Sequence, residues 1–240
     1  MTPRPDPRSP WGSKLWIPAD RFDPMMDAVR SRAGQTALVP RQGIDVDVIL
    51  KDLYCVDPDF CVLPKGCLGR TTFLADGSFY VQVSADLANE AVSSPVARRR
   101  LRSTLAHECA HIALHAALHP IRSARSLFDD MACDTVAVMC RGEGIEAGGS
   151  APDWWEYQAN RGMASLLLPR DLLRAALSSS VQVRGLTDLR EALATEQAEA
   201  VLRDLMELFD VGYSMTLYRL QDLGYLPKYV GQGGLTHKEG

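Results

Sequence analysis

Thr104-Leu105-Ala106-His107-Glu108-Cys109-Ala110-His111-Ile112-Ala113-Leu114-His115 holds two histidines four residues apart, with a glutamate directly after the first. On a helix a four-residue step turns by about 400°, so His107 and His111 project from one face, one turn apart. Two imidazole nitrogens so placed suit a single Zn²⁺ at about 2.0–2.1 Å each. Glu108 flanks the first histidine, within reach of a water activated at the ion but not placed to be a ligand itself. Two ligands and one general base are the working parts of a zinc hydrolase. The helix itself is expected. Ser94 and Pro95 make a good N-cap and first helical residue, and Pro120 ends the run, which gives a helix over about 95–118. Cys109, two residues from His107, points away from the ion and packs.

A catalytic zinc needs three protein ligands and an open fourth position. His115, His119, Asp130, Asp134, Asp153 and Glu156 are the downstream candidates. His115 continues the i, i+4 ladder, but it stands about 12 Å along the axis from His107, too far to share one coordination sphere. It reads instead as lining the cleft, capping the helix or hydrogen-bonding a ligand, and His119 reads as structural. Glu156 is better placed, in Asp153-Trp154-Trp155-Glu156-Tyr157-Gln158-Ala159-Asn160, on a separate helix able to cross the first. Asn160 follows one turn later on the same face, where it could hold the far nitrogen of a ligating histidine and fix its tautomer.

Outward from this pair the chain changes period. Thr71–Leu74 and Phe79–Val83 flank Ala75-Asp76-Gly77-Ser78, β-branched and aromatic runs around an Asp-Gly turn, which predicts a hairpin. Ile44 to Leu53 fits a short helix. Residues 1 to about 20 read as a flexible Pro-rich lead with nothing to pack. Residues 120–152 are mixed, with one apolar stretch at Ala132–Cys140 and a Gly-rich loop at Gly142–Gly149. A helix from Asp153 ends at Pro169, and helical periods follow over Arg170–Leu177, Thr187–Phe209 and about Gly212–Leu223. The tail, residues 229–240, reads as frayed. The expected fold class is α+β: a motif helix, a small antiparallel sheet, and a helical C-terminal part.

The 240 residues are 46% hydrophobic and 23% charged, the balance of a globular chain long enough to bury a core. A net charge of −4 argues against a protein whose main task is to coat nucleic acid or an anionic membrane. No apolar run reaches the roughly 18 residues a bilayer span needs, and the N-terminus lacks the apolar core of a signal peptide. Six cysteines in a chain of this length read as reduced thiols, so the expected compartment is the cytoplasm.

Three separated blocks resemble the ImmA/IrrE family of metallopeptidase-like proteins. Thr104–His115 is similar to the family's T-L-A-H-E-x-x-H-x-x-x-H. Glu156-Tyr157-Gln158-Ala159-Asn160, followed by Met163-Ala164-Ser165-Leu166-Leu167-Leu168-Pro169, is similar to E-x-x-A-N-x-F-A-x-x-L-L-M-P. Phe209-Asp210-Val211-Gly212, Met215, Arg219-Leu220 and Leu223-Gly224 are similar to F-x-V-S-x-x-A-x-x-x-R-L-x-x-L-G. The blocks span about residues 40 to 226. The resemblance implies a zincin-like (gluzincin-type) domain over 21–180, with Zn²⁺ on His107, His111 and Glu156 and with Glu108 as catalytic base. It also implies a site-specific protease that cleaves a helix-turn-helix repressor and so relieves repression of stress or mobile-element genes. Three departures stand out. The 44 residues between His111 and Glu156 exceed the family's usual gap and mark an insertion over about 117–150. Gly212 replaces the serine that usually caps the C-terminal helix, and no helix-turn-helix module precedes the hairpin.

Further expectations follow. Phe79–Val83 is the candidate edge strand for an extended peptide substrate. Tyr157, Arg161, Tyr213 and His115 are candidates for stabilising an oxyanion, with Tyr157 also a cleft residue. Arg98, Arg99, Arg100 and Arg102 crowd the start of the motif helix, where cations oppose its dipole, and read as a solvated face. The region 181–228 resembles half of a helix-turn-helix. A second function therefore stands beside the first: a non-catalytic zinc-binding regulator, an anti-repressor or toxin–antitoxin-type partner, acting on protein or DNA.

Overall fold

The structure, a computed structural model, describes residues 3–38, 42–74, 76–119, 136–141, 153–183 and 198–226. The Gly-rich loop at 142–149, most of the insertion, the start of the Thr187–Phe209 helix and the tail lie outside the described residues. So do Asp130 and Asp134.

Within the described residues the chain is mixed α+β and mostly helical, with eight helices and two small sheets. The motif helix, α4 (Pro95–His115), begins as expected, with Ser94 Oγ accepting from the Ala97 amide at 3.2 Å. It continues as a 3₁₀ turn over Ala116–Leu118. From Thr104 to Ile112 every residue is buried, so α4 is the central rod of the molecule rather than an amphipathic surface helix. Around it stand α1 (Phe22–Arg32), the short α2 (Val46–Val48) running into a π-type turn (Ile49–Leu53), α3 (Ala85–Ala91) and α5 (Trp154–Leu167). The C-terminal helices are α6 (Arg170–Val183), α7 (Ala198–Phe209) and α8 (Tyr213–Asp222). Gly212 is the N-cap of α8 and, having no side chain, supplies no capping bond. Among the described residues no helix is long and apolar enough to cross a membrane.

One face of α4 is covered by a four-stranded sheet in the order β3-β5-β4-β6. β4 (Cys67–Phe73) and β5 (Phe79–Ser84) form the expected hairpin, paired from Gly69↔Val83 to Phe73↔Phe79. Gly77 takes φ +84° in its turn, and Asp76 Oδ1 accepts from the Ser78 amide at 2.9 Å. The sheet is not wholly antiparallel. β3 (Asp59–Cys61) runs parallel to β5, because two chain reversals separate them and bring the chain back in its original direction. β3 pairs with the Gln82–Ser84 end of β5 and so covers part of the expected edge, while among the described residues Phe79–Val81 pairs with β4 alone. One of the edges is β6 (Val136–Arg141), which pairs antiparallel with β4 and comes from inside the expected insertion. Its alternating Val136 and Val138 bury against the core.

Residues 3–20 are corrected too. β1 (Pro3–Pro5) and β2 (Ser13–Leu15) pair as an antiparallel hairpin, and Trp11, Leu15 and Ile17 are buried in the main core. Trp11 packs 5.6 Å from Phe73 and 5.1 Å from His115, ring centroid to centroid. One large aromatic and two aliphatics suffice to anchor a segment that its prolines and charges otherwise mark as unpacked.

Three of the four arginines at the start of α4, Arg98, Arg99 and Arg102, engage Asp210 instead of standing as a solvated face, while Arg100 is exposed. Arg98 and Arg99 donate to the Asp210 carboxylate at 2.9–3.2 Å, and Arg102 Nε donates to the Asp210 carbonyl at 3.2 Å. Asp210 sits at φ +50°, just past α7, so these contacts hold a non-glycine residue in the left-handed region. Burial alone would raise its carboxyl, yet the hydrogen bonds from Arg98 and Arg99 and the nearby charge of Arg102 hold it below its ordinary 3.8. A lowered folded value contributes stability above about pH 4 that disappears as the carboxylate is protonated. Between pH 6 and pH 3 the urea midpoint of the wild type should therefore fall further than that of Asp210→Asn. Parallel declines would show that the three arginines do not couple to this carboxylate.

Candidate metal centre

The site is built where α5 crosses α4. A Cβ on Gly162 would stand 2.9 Å from Ala110 Cβ and 3.0 Å from Leu114 Cδ1, so glycine on one helix and alanine on the other let the two axes approach closely. That approach brings the first turn of α5, with Glu156, over the histidine face of α4. His107 Nε2 and His111 Nε2 are 2.9 Å apart. Glu156 Oε2 lies 3.1 Å from the first and Oε1 lies 3.4 Å from the second. Neighbouring donors of a tetrahedral zinc with bonds of 2.0–2.1 Å stand about 3.3–3.4 Å apart. The three donors fit one such ion, and two imidazoles with a carboxylate are a known catalytic zinc set. Glu156 is the more open member, its side chain 24% exposed, whereas those of the two histidines are at most 3% exposed. Burial opposes its charge, but hydrogen bonds from His107 and His111 outweigh that and push its carboxyl well below the usual range.

The outer nitrogens are also occupied. Asn160 Oδ1 lies 3.2 Å from His107 Nδ1. His115 is fully buried, with its Nδ1 3.0 Å from His111 Nδ1 and its Nε2 3.1 Å from Gln158 Oε1. Both ring nitrogens being engaged, His115 has no free donor for an oxyanion. Burial pushes its pKa well below the ordinary histidine value.

Glu108 is held by the sheet. Alternation along β4 turns Cys67, Gly69, Thr71 and Phe73 toward α4. Thr71 Oγ1 donates to Glu108 Oε2 at 2.6 Å, while the buried Oε1 has no hydrogen-bond partner. Burial drives the carboxyl up to about 7, against the opposing charge of His107 and the Thr71 hydrogen bond. A buried carboxylate with one oxygen unclaimed among the described residues has room to accept a proton. Gly69 makes the room: a Cβ there would meet Glu108 Oε1 at 2.5 Å and Thr104 Cγ2 at 2.7 Å. β4 is paired on both sides and cannot retreat. Gly69→Ala should therefore displace the Glu108 carboxylate and, on the hydrolytic reading proposed below, lower turnover about 100-fold while leaving zinc stoichiometry unchanged. Equal turnover in the two proteins would show that Glu108 tolerates the shift.

Other expected residues stand apart from this cluster. Tyr157 is exposed and its hydroxyl accepts from Arg161 at 2.8 Å, while Arg161 also pairs with Asp222 at 2.7 Å. Tyr213 is exposed at the start of α8, and Asp153 is exposed before α5. His119 is buried, 6.1 Å from the Phe73 ring. Cys109 is fully buried and burial raises its thiol to about 12; Cys55, Cys61 and Cys67 are in no disulfide. Thr71, Gly69, Gln158 and Leu15 were not anticipated as parts of the site. A glycine among the β-branched residues of β4 is the one local signal of a close approach. Comparison with models of known protein families and with curated proteins finds no match to this chain.

Proposed function

We propose that this chain is a zinc-dependent, site-specific endopeptidase of the zincin-like type, similar to the ImmA/IrrE proteins, which works in the cytoplasm on a helix-turn-helix repressor. The observation that carries the reading is a His₂Glu donor set beside a buried carboxylate, Glu108, that is not itself a donor. A purely structural zinc usually recruits four protein ligands and has no use for such a carboxylate. When bound, zinc polarises the scissile carbonyl and acidifies water.

The chain's own residues do the rest. His107, His111 and Glu156 would hold the ion, and Asn160 orients His107. Glu108 takes a proton from the attacking water through the oxygen that Thr71 leaves free. As the carbonyl carbon gains the water oxygen and the C–N bond breaks, Glu108 returns the proton to the leaving amine. Arg98, Arg99 and Arg102 at the start of α4 are engaged with Asp210, which speaks for a protein substrate over DNA.

The test is incubation of the zinc-loaded protein with helix-turn-helix repressors from the same genome, with and without a chelator. One discrete cut that the chelator prevents is the expected result. A repressor bound but left whole by the zinc-loaded protein would instead make it a non-catalytic regulator.

A further inference from the structure

The nitrogens facing away from Glu156 determine what His111 can offer to an ion. The backbone carbonyl of Leu15 can only accept, so the Gln158 side-chain nitrogen must be the group that donates to it, at 2.8 Å. That fixes the amide's orientation and turns Gln158 Oε1, also an acceptor, toward His115 Nε2 at 3.1 Å. The proton of a neutral His115 must then sit on Nε2, which leaves Nδ1 bare. His111 Nδ1, 3.0 Å away, has to donate to it, so the proton that His111 Nε2 lends to Glu156 is the one an incoming cation would displace. Asn160 Oδ1 does the same for His107. With both outer nitrogens committed as donors, the two Nε2 atoms, 2.9 Å apart and facing Glu156, would present their lone pairs to a cation that displaces the protons they share.

We propose that His115 and Gln158 are positioning residues which, together with the Leu15 carbonyl, form a relay that holds His111 in its metal-binding tautomer and ties that tautomer to the N-terminal hairpin. The relay rests on the metal-centre reading and extends it. Leu15 closes β2, and Trp11, in the turn of the same hairpin, packs on the His115 ring. The segment that covers the back of the site therefore also sets the proton on a ligand three hydrogen bonds deeper.

The test compares full-length His115→Asn, His115→Leu and Gln158→Leu with the wild type. Zinc affinity is measured by competition with a chromophoric chelator, and the melting temperature of each metal-free protein is recorded. Asparagine can place its Oδ1 where Nδ1 of His115 stands and still accept from His111. Zinc affinity should drop about 10–100-fold in both leucine variants and much less in His115→Asn. Packing alone predicts the reverse order at position 115, because leucine fills the buried space better. Nitrogen-15 spectra of the zinc-loaded wild type should show His115 protonated at Nε2, a readout that needs no variant to fold. A proton on Nδ1 of His115, or wild-type affinity in both leucine variants, overturns the relay while leaving the metal centre intact. A wild type that takes up no zinc overturns both.

Discussion

Glu108→Gln is expected to reduce proteolytic turnover by about 10²–10⁴-fold while zinc affinity stays within a few-fold of wild type, as general-base contributions are of that size. The substitution keeps the volume and keeps an oxygen to accept from Thr71, so the packing between α4 and β4 survives. What it removes is the group able to carry a proton, since an amide does not titrate near neutrality. Glu108 lies outside the His107, His111 and Glu156 donor set, so loss of hydrolysis and loss of metal separate at this position. Single-turnover cleavage of the repressor, with zinc content measured on the same sample, checks both halves. Turnover within tenfold of wild type would remove Glu108 from the mechanism.

Arg219→Ala is expected to destabilise the protein by about 3–5 kcal/mol, the usual consequence of removing one partner from a buried ion pair. Arg219 on α8 has a side chain only 1% exposed, and it pairs with Asp23 on α1. Its Nε also donates to the Leu168 carbonyl at the end of α5, at 3.0 Å. Asp23 in turn accepts from Arg170 Nε at 2.8 Å. Its carboxyl is held low: burial opposes the charge, but Arg219, Ser165 and Arg170 together prevail. One guanidinium thus joins the first helix, the end of the Glu156 helix and the C-terminal helix. Truncation leaves a buried carboxylate short of a charge and a carbonyl short of a donor. Urea unfolding of Arg219→Ala, Asp23→Ala and the double variant gives the coupling directly, and the double variant should cost less than the sum of the singles. Strict additivity would show that the pair is not energetically linked.

The parts of the molecule written in local patterns were legible in the sequence. The N-cap pair Ser94-Pro95, the four-residue histidine spacing and the Asp-Gly turn each follow from contacts within a few residues. The structure places α4 and the β4–β5 hairpin where those patterns put them. It also brings Glu156 and Asn160 to the two ends of His107. Interactions between distant segments were not legible. Arg98, Arg99 and Arg102 look solvated until Asp210, more than a hundred positions later, is folded onto them. Trp11 and Trp16 both stand in the Pro-rich run, and no periodicity announces that the first enters the core while the second stays exposed. Helix α1, with Phe22, Met26 and Val29 buried at helical spacing, was hidden because it follows that proline-rich run. The parallel pairing of β3 and the recruitment of β6 are matters of topology, which strand propensity does not encode.

The donors of the metal centre all come from two crossed helices, whereas the base is set by a strand through Thr71 and Gly69. On the proposed hydrolytic reading, ion capture and bond cleavage would thus depend on different stretches of chain and be free to diverge. Drift confined to positions 69 and 71 would give descendants that keep their ion but no longer cut. Such lineages would pass from enzyme to sensor without any change in the helices.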